Sequence, residues 1–549
     1  MALAVAAMLL FSRPSWGQTA WQAGTDSWFN SADWSAGEPT TSSTAGSPGY
    51  AYINDSGTAE IASGTATAYF LDLGENTSNS GSVALSAGTI TTTYMNVGDT
   101  GAGMFNQTGG SDYTDLMELG ASAGGTGTYV LSGTGALNGV DEAVGYIGYG
   151  IFNQTGGTNA FSSPSSVLYL GGWEGSGGGI GVYTLSAGQV TSGGGEVIGD
   201  AGTGTFAQNG GTNSFTGTAK LYVGGGPAVV SIGTGSYVLS AGLVSNSAAE
   251  IVGFLGTGSF TQSGGTNSLS TTSSGLFVGG SSFEPSHPPT NVENGNYLLT
   301  GGSLNSHFEY IGDTGQGSFN QSGGTNVCTG TINLGPSGTS SGIVYLAYAA
   351  GSTGSYSLSG TGSLTATIED VGYQGSGSFN QSGGVNSTTV LNINSGTYDL
   401  TGGSLSLTTL ALGTSATFNN NGGALSWKSL DVAVGGAIAG DGYGDADFSG
   451  TVDLAGTLTV ALVNSFEPEP GEIFYIIDAG SVEGTFSTVN LPGGTSEFAL
   501  SYTPTGVYLT SEIPEPGSLG ILAACAIPLV ARRSRKQTQR AGVRSSLCA

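Results

Sequence analysis

One internal repeat constrains this chain more than any other feature. The string Phe-x-Gln-x-Gly-Gly starts at Phe105, Phe152, Phe206, Phe260, Phe319 and Phe379. A related string, Tyr-x-Leu-[Ser/Thr] with a glycine one or two residues further on, starts at Tyr129, Tyr183, Tyr237, Tyr297, Tyr356 and Tyr398 and alternates with it. Val83 heads an earlier copy of the second kind and Phe418 a later copy of the first, so fourteen anchors run in series. From a Tyr-type anchor to the next Phe-type anchor the step is 22 or 23 residues in six cases and 20 in the last, whereas the reverse step varies from 19 to 37. A unit of that length cannot bury an apolar face alone but can do so by stacking on copies of itself, and the constant step is that of one coil of a β-solenoid. The variable half-step predicts insertions at one corner of every second coil, such as Ser281 to Glu293 with its prolines 285, 288 and 289.

The expectation is an all-β chain: a right-handed parallel β-helix of about fourteen coils with N- and C-terminal caps and a short C-terminal transmembrane helix. Alternation along a strand puts each anchor and the residue two further on one face. Coils ~4.8 Å apart give a rod roughly 60 Å long with a ladder of Tyr and Phe rings down it. Glycine, 101 of 549 residues, falls at the corners, where tight turns need positive φ or close backbone approach. Trp21, Trp28 and Trp34 precede the repeat and suit an N-terminal cap, since open solenoid ends invite edge-to-edge association. After Gly440 the repeat fades, and the alternation at Leu458, Val460 and Leu462 reads as a small β-domain.

A second regularity lies inside the coils. Tyr-type coils carry Glu142, Glu196, Glu250, Glu309 and Glu369, and the Phe-type coils carry Gln154, Gln208, Gln262, Gln321 and Gln381, each Gln 12 residues after its Glu. A lone inward Glu or Gln is costly unless hydrogen-bonded. We therefore expect the pairs Glu142 with Gln154, Glu196 with Gln208, Glu250 with Gln262, Glu309 with Gln321 and Glu369 with Gln381 to meet at a corner. A row of cation sites is the functional alternative.

The two ends carry address signals. The apolar run from Ala2 to Phe11, followed by Arg13-Pro14-Ser15-Trp16-Gly17, resembles a secretory leader. At the other end, Pro514-Glu515-Pro516 precedes an apolar run from Gly517 to Ala531 and the cluster Arg532, Arg533, Arg535, Lys536. The run is short of the ~20 residues that span a bilayer comfortably, and the cations after it favour a cytoplasmic end. This pattern resembles the PEP-CTERM sorting signal of Gram-negative exported proteins, from which it departs in Pro528 and in the 13 residues after Lys536. The resemblance implies an exosortase-type processing protease as partner, transient inner-membrane anchoring through the C-terminal helix, and delivery to the cell surface, the outer membrane or the exopolysaccharide matrix. The region after Gly440 is similar to the terminal part of PEP-CTERM solenoids with autotransporter-type passenger repeats. The resulting organisation is a leader at 1–17, a Trp-rich cap and first coils at 18–80, solenoid repeats at 81–440, a β-domain or cap at 441–512, the sorting segment at 513–536 and a basic tail at 537–549.

Charge narrows function. Between residues 18 and 512 there are 36 acidic residues against Lys220 and Lys428 alone, whereas six of the nine bases follow residue 531. Such a body repels nucleic acid and attracts cations. Polysaccharide lyases share the parallel-solenoid architecture, but they need basic groups to abstract a proton and neutralise the substrate acid, and two lysines about 200 residues apart do not provide them. A glycosidase needs only a carboxylate pair ~5–10 Å apart, and no pair is singled out. Asp445, Asp447 and Asp453, with Gly450 between, resemble the start of a calcium loop, but position 12 is Gly456; calcium is thus a weak candidate and no other cofactor is expected. His287 and His307 have no nucleophile motif nearby, and Cys328, Cys525 and Cys548 imply no disulfide framework. No catalytic residue stands out. The leading expectation is an exported structural or interaction protein of the cell envelope or exopolysaccharide matrix. A glycan-binding adhesin using aromatics such as Trp173 or Tyr222 is the alternative, with a glycosidase behind it.

Overall fold

The computed structural model describes residues 17–43, 49–227, 232–271, 274–283, 293–333, 339–493 and 498–511. Each turn of the chain lays down strands on three sides, and each side pairs in parallel register with the turns before and after it. On the first side Ala102–Gln107 lies between Ser80–Leu85 and Thr126–Leu131. Ser111–Leu119 covers the second and third sides with residues 111–114 and 116–119, between Thr89–Val97 and Ala136–Val144. This is the parallel β-solenoid expected from the repeat. Among the described residues no helix is long and apolar enough to cross a membrane, and the leader and the apolar run from Gly517 lie outside them.

The anchors stack one per turn. From Phe105 to Tyr398 every consecutive pair of rings is 4.5–4.9 Å apart with interplanar angles of 3–10°, and all are buried. The backbone ladder imposes this spacing and brings the rings face to face. The register extends beyond the fourteen anchors. Ala59 pairs with Val83 and Asp26 with Ala59 on one side; Phe418 pairs with Ala446 and Ala446 with Ile477 on the other.

The parallel pairing also runs past Gly440. Asp445–Leu454, Thr457–Leu462 and Ile473–Gly484 continue the stack, although their anchors are no longer aromatic. Only then does the pairing reverse: Gly506–Ser511 runs antiparallel to Ile473–Gly484 and to Phe498–Thr503. At the other end Trp21, Trp28 and Trp34 are buried in edge-to-face contacts of 5.0 and 4.9 Å, with Trp34 Nε1 donating to Trp28 O at 2.8 Å. Strands Gln18–Ala20 and Thr25–Ser27 join this cap to the first full turn.

The insertions occupy two corners, not one. Residues 171–179 and 279–293 separate a third-side strand from the next first-side strand. Residues 329–342 separate a second-side strand from a third-side one and contain the antiparallel pair Thr331–Asn333 and Thr339–Ser341. Most of the proline-rich insertion, including His287, lies outside the described residues.

Candidate functional site

Three inward columns flank the ring stack. On the first side, two residues after each anchor, Gln alternates with Leu, as in Gln208, Leu239 and Gln262. On the second side Asn alternates with an aliphatic residue, as in Asn213, Val244 and Asn267. On the third side Glu alternates with Leu or Val, as in Glu196, Leu221 and Glu250. All five Glu and all five Gln of the expected pairs are buried, but the pairs do not bond each other. Two residues from the adjoining turns stand between them.

The unit around Glu250 shows the arrangement. Asn267 Nδ2 donates to Glu250 Oε2 at 2.7 Å and to Tyr297 Oη at 3.4 Å, and Tyr297 donates to Gln262 Oε1 at 2.7 Å. Gln262 Nε2 donates to the carbonyls of Gly265 and Ser303. The chain Glu–Asn–Tyr–Gln thus links three successive turns through their interior. It recurs with Glu142, Asn159, Tyr183 and Gln154, where the three bonds are 3.1, 3.3 and 2.6 Å. With Glu196, Asn213, Tyr237 and Gln208 they are 2.9, 3.2 and 2.6 Å. With Glu309, Asn326, Tyr356 and Gln321 they are 3.0, 3.3 and 2.6 Å, and with Glu369, Asn386, Tyr398 and Gln381 they are 3.0, 3.0 and 2.6 Å. This explains why Tyr alternates with Phe in the stack: the hydroxyl is needed only where a Gln lies in the turn below. The asparagines were legible as the Asn of Gly-Gly-[Thr/Val]-Asn, seven residues after Phe152, Phe206, Phe260, Phe319 and Phe379.

Burial sets the acidity of this column. It lifts Glu196, Glu250 and Glu369 to about 7 and Glu309 to about 6, against the donated bonds that favour the charged form, and it holds Glu142 well above the usual carboxylate range. Asp112, which takes the asparagine position in the first Phe-type turn, is raised to about 6 for the same reason.

A second apolar layer lies outside the barrel, on the third side. Tyr169, Val197, Tyr222, Ile251, Phe277 and Tyr310 follow one another in register and are buried. Phe254, Leu255 and Trp173 from the corner segments pack with them. Tyr222 is therefore buried against Phe254 (5.5 Å between rings) rather than exposed, and Trp173 sits half-buried on Tyr146 at 5.9 Å. The cover thins further along: Tyr345 and Tyr348 are half-buried, and Tyr373 is 41% exposed, parallel to Tyr348 at 5.1 Å.

The other candidates stand apart. Asp445, Asp447 and Asp453 lie on the strand Asp445–Leu454 and do not form a calcium loop, because an extended strand cannot wrap several of its oxygens around one ion. Among the described residues no group of three or more His, Cys, Asp or Glu side chains is placed to hold a metal ion. His307 sets Nδ1 3.2 Å from Leu269 O, and Cys328 is buried as a free thiol. Two surface depressions, one lined by Phe486, Leu491 and Tyr502 and the other by Ile147, Tyr149 and Ile180, have no carboxylate in their walls. Pro514, Glu515, Pro516, Arg532, Arg533 and Arg535 lie outside the described residues. No family model and no curated protein matches this chain.

Proposed function

We propose that this is an exported structural protein of the cell envelope or exopolysaccharide matrix, wound right-handed and sorted by its C-terminal PEP-CTERM-like segment through an exosortase-type protease. The observation that carries this reading is the separation of charge along the sequence. Acids crowd the body, while bases gather behind Pro514-Glu515-Pro516 and an apolar run. A long rod of stacked turns presents that acidic surface at fixed spacing, and insertions at two of its corners supply the variable contacts. Fractionation of cells making the full chain or a chain lacking residues 513–549 tests the address. The full chain is expected with the surface or matrix fraction and the truncated chain in the soluble exported fraction. Retention of the truncated chain on the surface refutes the sorting role.

The half-exposed tyrosines favour a second reading, binding of an uncharged glycan. Tyr345, Tyr348 and Tyr373 meet edge-on or in parallel within 5.1–5.2 Å, next to the Asp370–Asn394 hydrogen bond at 3.4 Å. Rings with adjacent carboxylate and amide groups suit a sugar's apolar face and hydroxyls, and the acidic body selects against polyanions. Tyr348→Ala with Tyr373→Ala is expected to weaken retention on an insoluble neutral polysaccharide roughly tenfold, the effect of about 1.4 kcal/mol. Unchanged retention, or none by the parent chain, removes this reading.

A further inference from the structure

A count of hydrogens around Glu250 leaves two acceptors without a donor. Both Gln262 amide hydrogens go to backbone carbonyls, so its Oε1 accepts and Tyr297 donates to it. The tyrosine oxygen then takes one Asn267 hydrogen and Glu250 Oε2 takes the other. That fixes the asparagine amide, and Asn267 Oδ1 is left buried with no donor. The same atom of Asn159, Asn213, Asn326 and Asn386 is left in the same state. The other carboxyl oxygen, Oε1, is likewise unpartnered in Glu142, Glu250 and Glu369, and in Glu196 and Glu309 it meets the hydroxyls of Ser192 and Ser306 at 2.8 and 2.7 Å. A carboxylate only accepts, whereas a carboxylic acid has one O–H to give.

We propose that the interior glutamates are proton-binding sites: each is held as a neutral acid that accepts from its asparagine's Nδ2 and donates its own proton back to Oδ1, closing a two-bond ring. In the two turns with serine the hydroxyl donates its own hydrogen to Oε1 as well. The first turn obeys the same count with other residues. Gln107 Nε2 spends both hydrogens on Gly110 O and Ala136 O, so Tyr129 donates to Gln107 at 2.7 Å, and Asp112, 3.0 Å from the same hydroxyl, supplies the hydrogen that this contact needs. Acid and amide also come and go together within the chain. Where the glutamate column holds Met95, the asparagine column holds Asp112; where it holds Leu410, the asparagine column holds Leu425.

The groups facing these acids supply no counter-charge. Glu142 faces Tyr129, Tyr183, Asp112 and Glu196. Glu196 faces Tyr183 and Tyr237, and Glu250 faces Tyr237 and Tyr297. Glu309 faces Tyr297, Tyr356, Cys328 and Glu369; Glu369 faces Tyr356, Tyr398 and Cys328. Asp112 faces Tyr129 and Glu142. The rungs flanking Glu250 on its own side are Leu221 and Leu276. Burial without a cation raises every carboxyl of the set, to about 6 or 7 in five of them.

The sign of the pH effect follows. In the unfolded chain these carboxyls titrate near pH 4, so between about pH 4 and about pH 7 the folded state binds more protons than the unfolded state. Stability is greatest at the acid end of this window and falls as pH rises through it, each group raising the unfolding constant by up to tenfold per pH unit. Glu118, outside the set, is pushed by burial to about 8 and carries the same sign of slope to higher pH.

Infrared spectra of the full chain at about pH 6, where exposed carboxyls are ionised, test the protonation directly. Denaturant unfolding between about pH 4.5 and 7.5 tests its consequence, comparing the parent chain with Glu250→Gln and with all five glutamates changed to Gln. Glutamine places an N–H where the acid has its O–H. The expected results are a neutral-carboxyl C=O band that weakens in Glu250→Gln and vanishes on unfolding, a parent midpoint that falls with pH, a flatter profile for the single variant and a still flatter one for the fivefold variant, whose remaining slope belongs to Asp112, Asp313 and Glu118. If the fivefold variant does not fold, the change in the band and in the pH slope of Glu250→Gln still decides. Absence of the band in the folded chain, or an unchanged pH slope in Glu250→Gln, overturns the proposal.

Discussion

Gly235→Ala is expected to destabilise the rod by about 3–6 kcal/mol, whereas Gly450→Ala is expected to stay within about 0.5 kcal/mol of the parent. Gly235 pairs with Gly204 and Gly258 in an inward column two residues before the anchors. Its backbone is extended, so space and not φ demands glycine. A Cβ there would lie 2.1 Å from Ile198 O and 2.3 Å from Gly224 N, the two atoms joined by a 2.8 Å hydrogen bond that closes the corner between turns. The added methyl group therefore forces the turns apart and leaves two buried backbone groups unpaired, which overpacking alone would not do. Gly450, by contrast, has nothing within 4 Å of that position. Denaturant melts of both variants check this: equal, small effects would mean that the turns do not close over this column.

The repeat made the ring stack legible because its period is a property of sequence: the anchors from Phe105 to Tyr398 are adjacent in space because they are one turn apart. The polar interior was legible only in part. The recurrence of Glu142 with Gln154 and its equivalents was visible, but a constant 12-residue offset does not place two side chains on facing columns. Glu250 and Gln262 sit on different sides of successive turns, and Asn267 and Tyr297 lie between them. The outer apolar layer was hidden for another reason. Tyr169, Tyr222 and Phe277 alternate in sequence like solvent-facing residues, and only the segments carrying Trp173 and Phe254, whose spacing follows no period, bury them. The last turns were hidden because Ala446 and Ile477 keep the register of the anchors without keeping their ring.

Within the interior network, the largest expected effect comes from removing one partner and not both. Asn267→Leu leaves Glu250 and Tyr297 without their donor, and Glu250→Leu leaves the Asn267 amide with a hydrogen and an oxygen unpaired. Each is expected to destabilise by about 2–4 kcal/mol, the scale of a buried polar group stripped of its partner. The double variant is expected to recover about 2 kcal/mol or more of the summed loss, because two apolar groups replace two that need each other. The chain already contains that solution: Leu410 and Leu425 hold these two columns in the turns of Tyr398 and Phe418, where the ring stack continues with a wider 5.7 Å step. The neighbours agree, since Leu221 and Leu276 flank Glu250 and Val244 and Leu304 flank Asn267. A double-mutant cycle of unfolding free energies at about pH 6 measures the coupling. Strict additivity would show that Glu250 and Asn267 act independently. A coupling of the expected size would show that the glutamates and asparagines persist as pairs, and that their recurrence in five successive repeats sets which turn stacks on which.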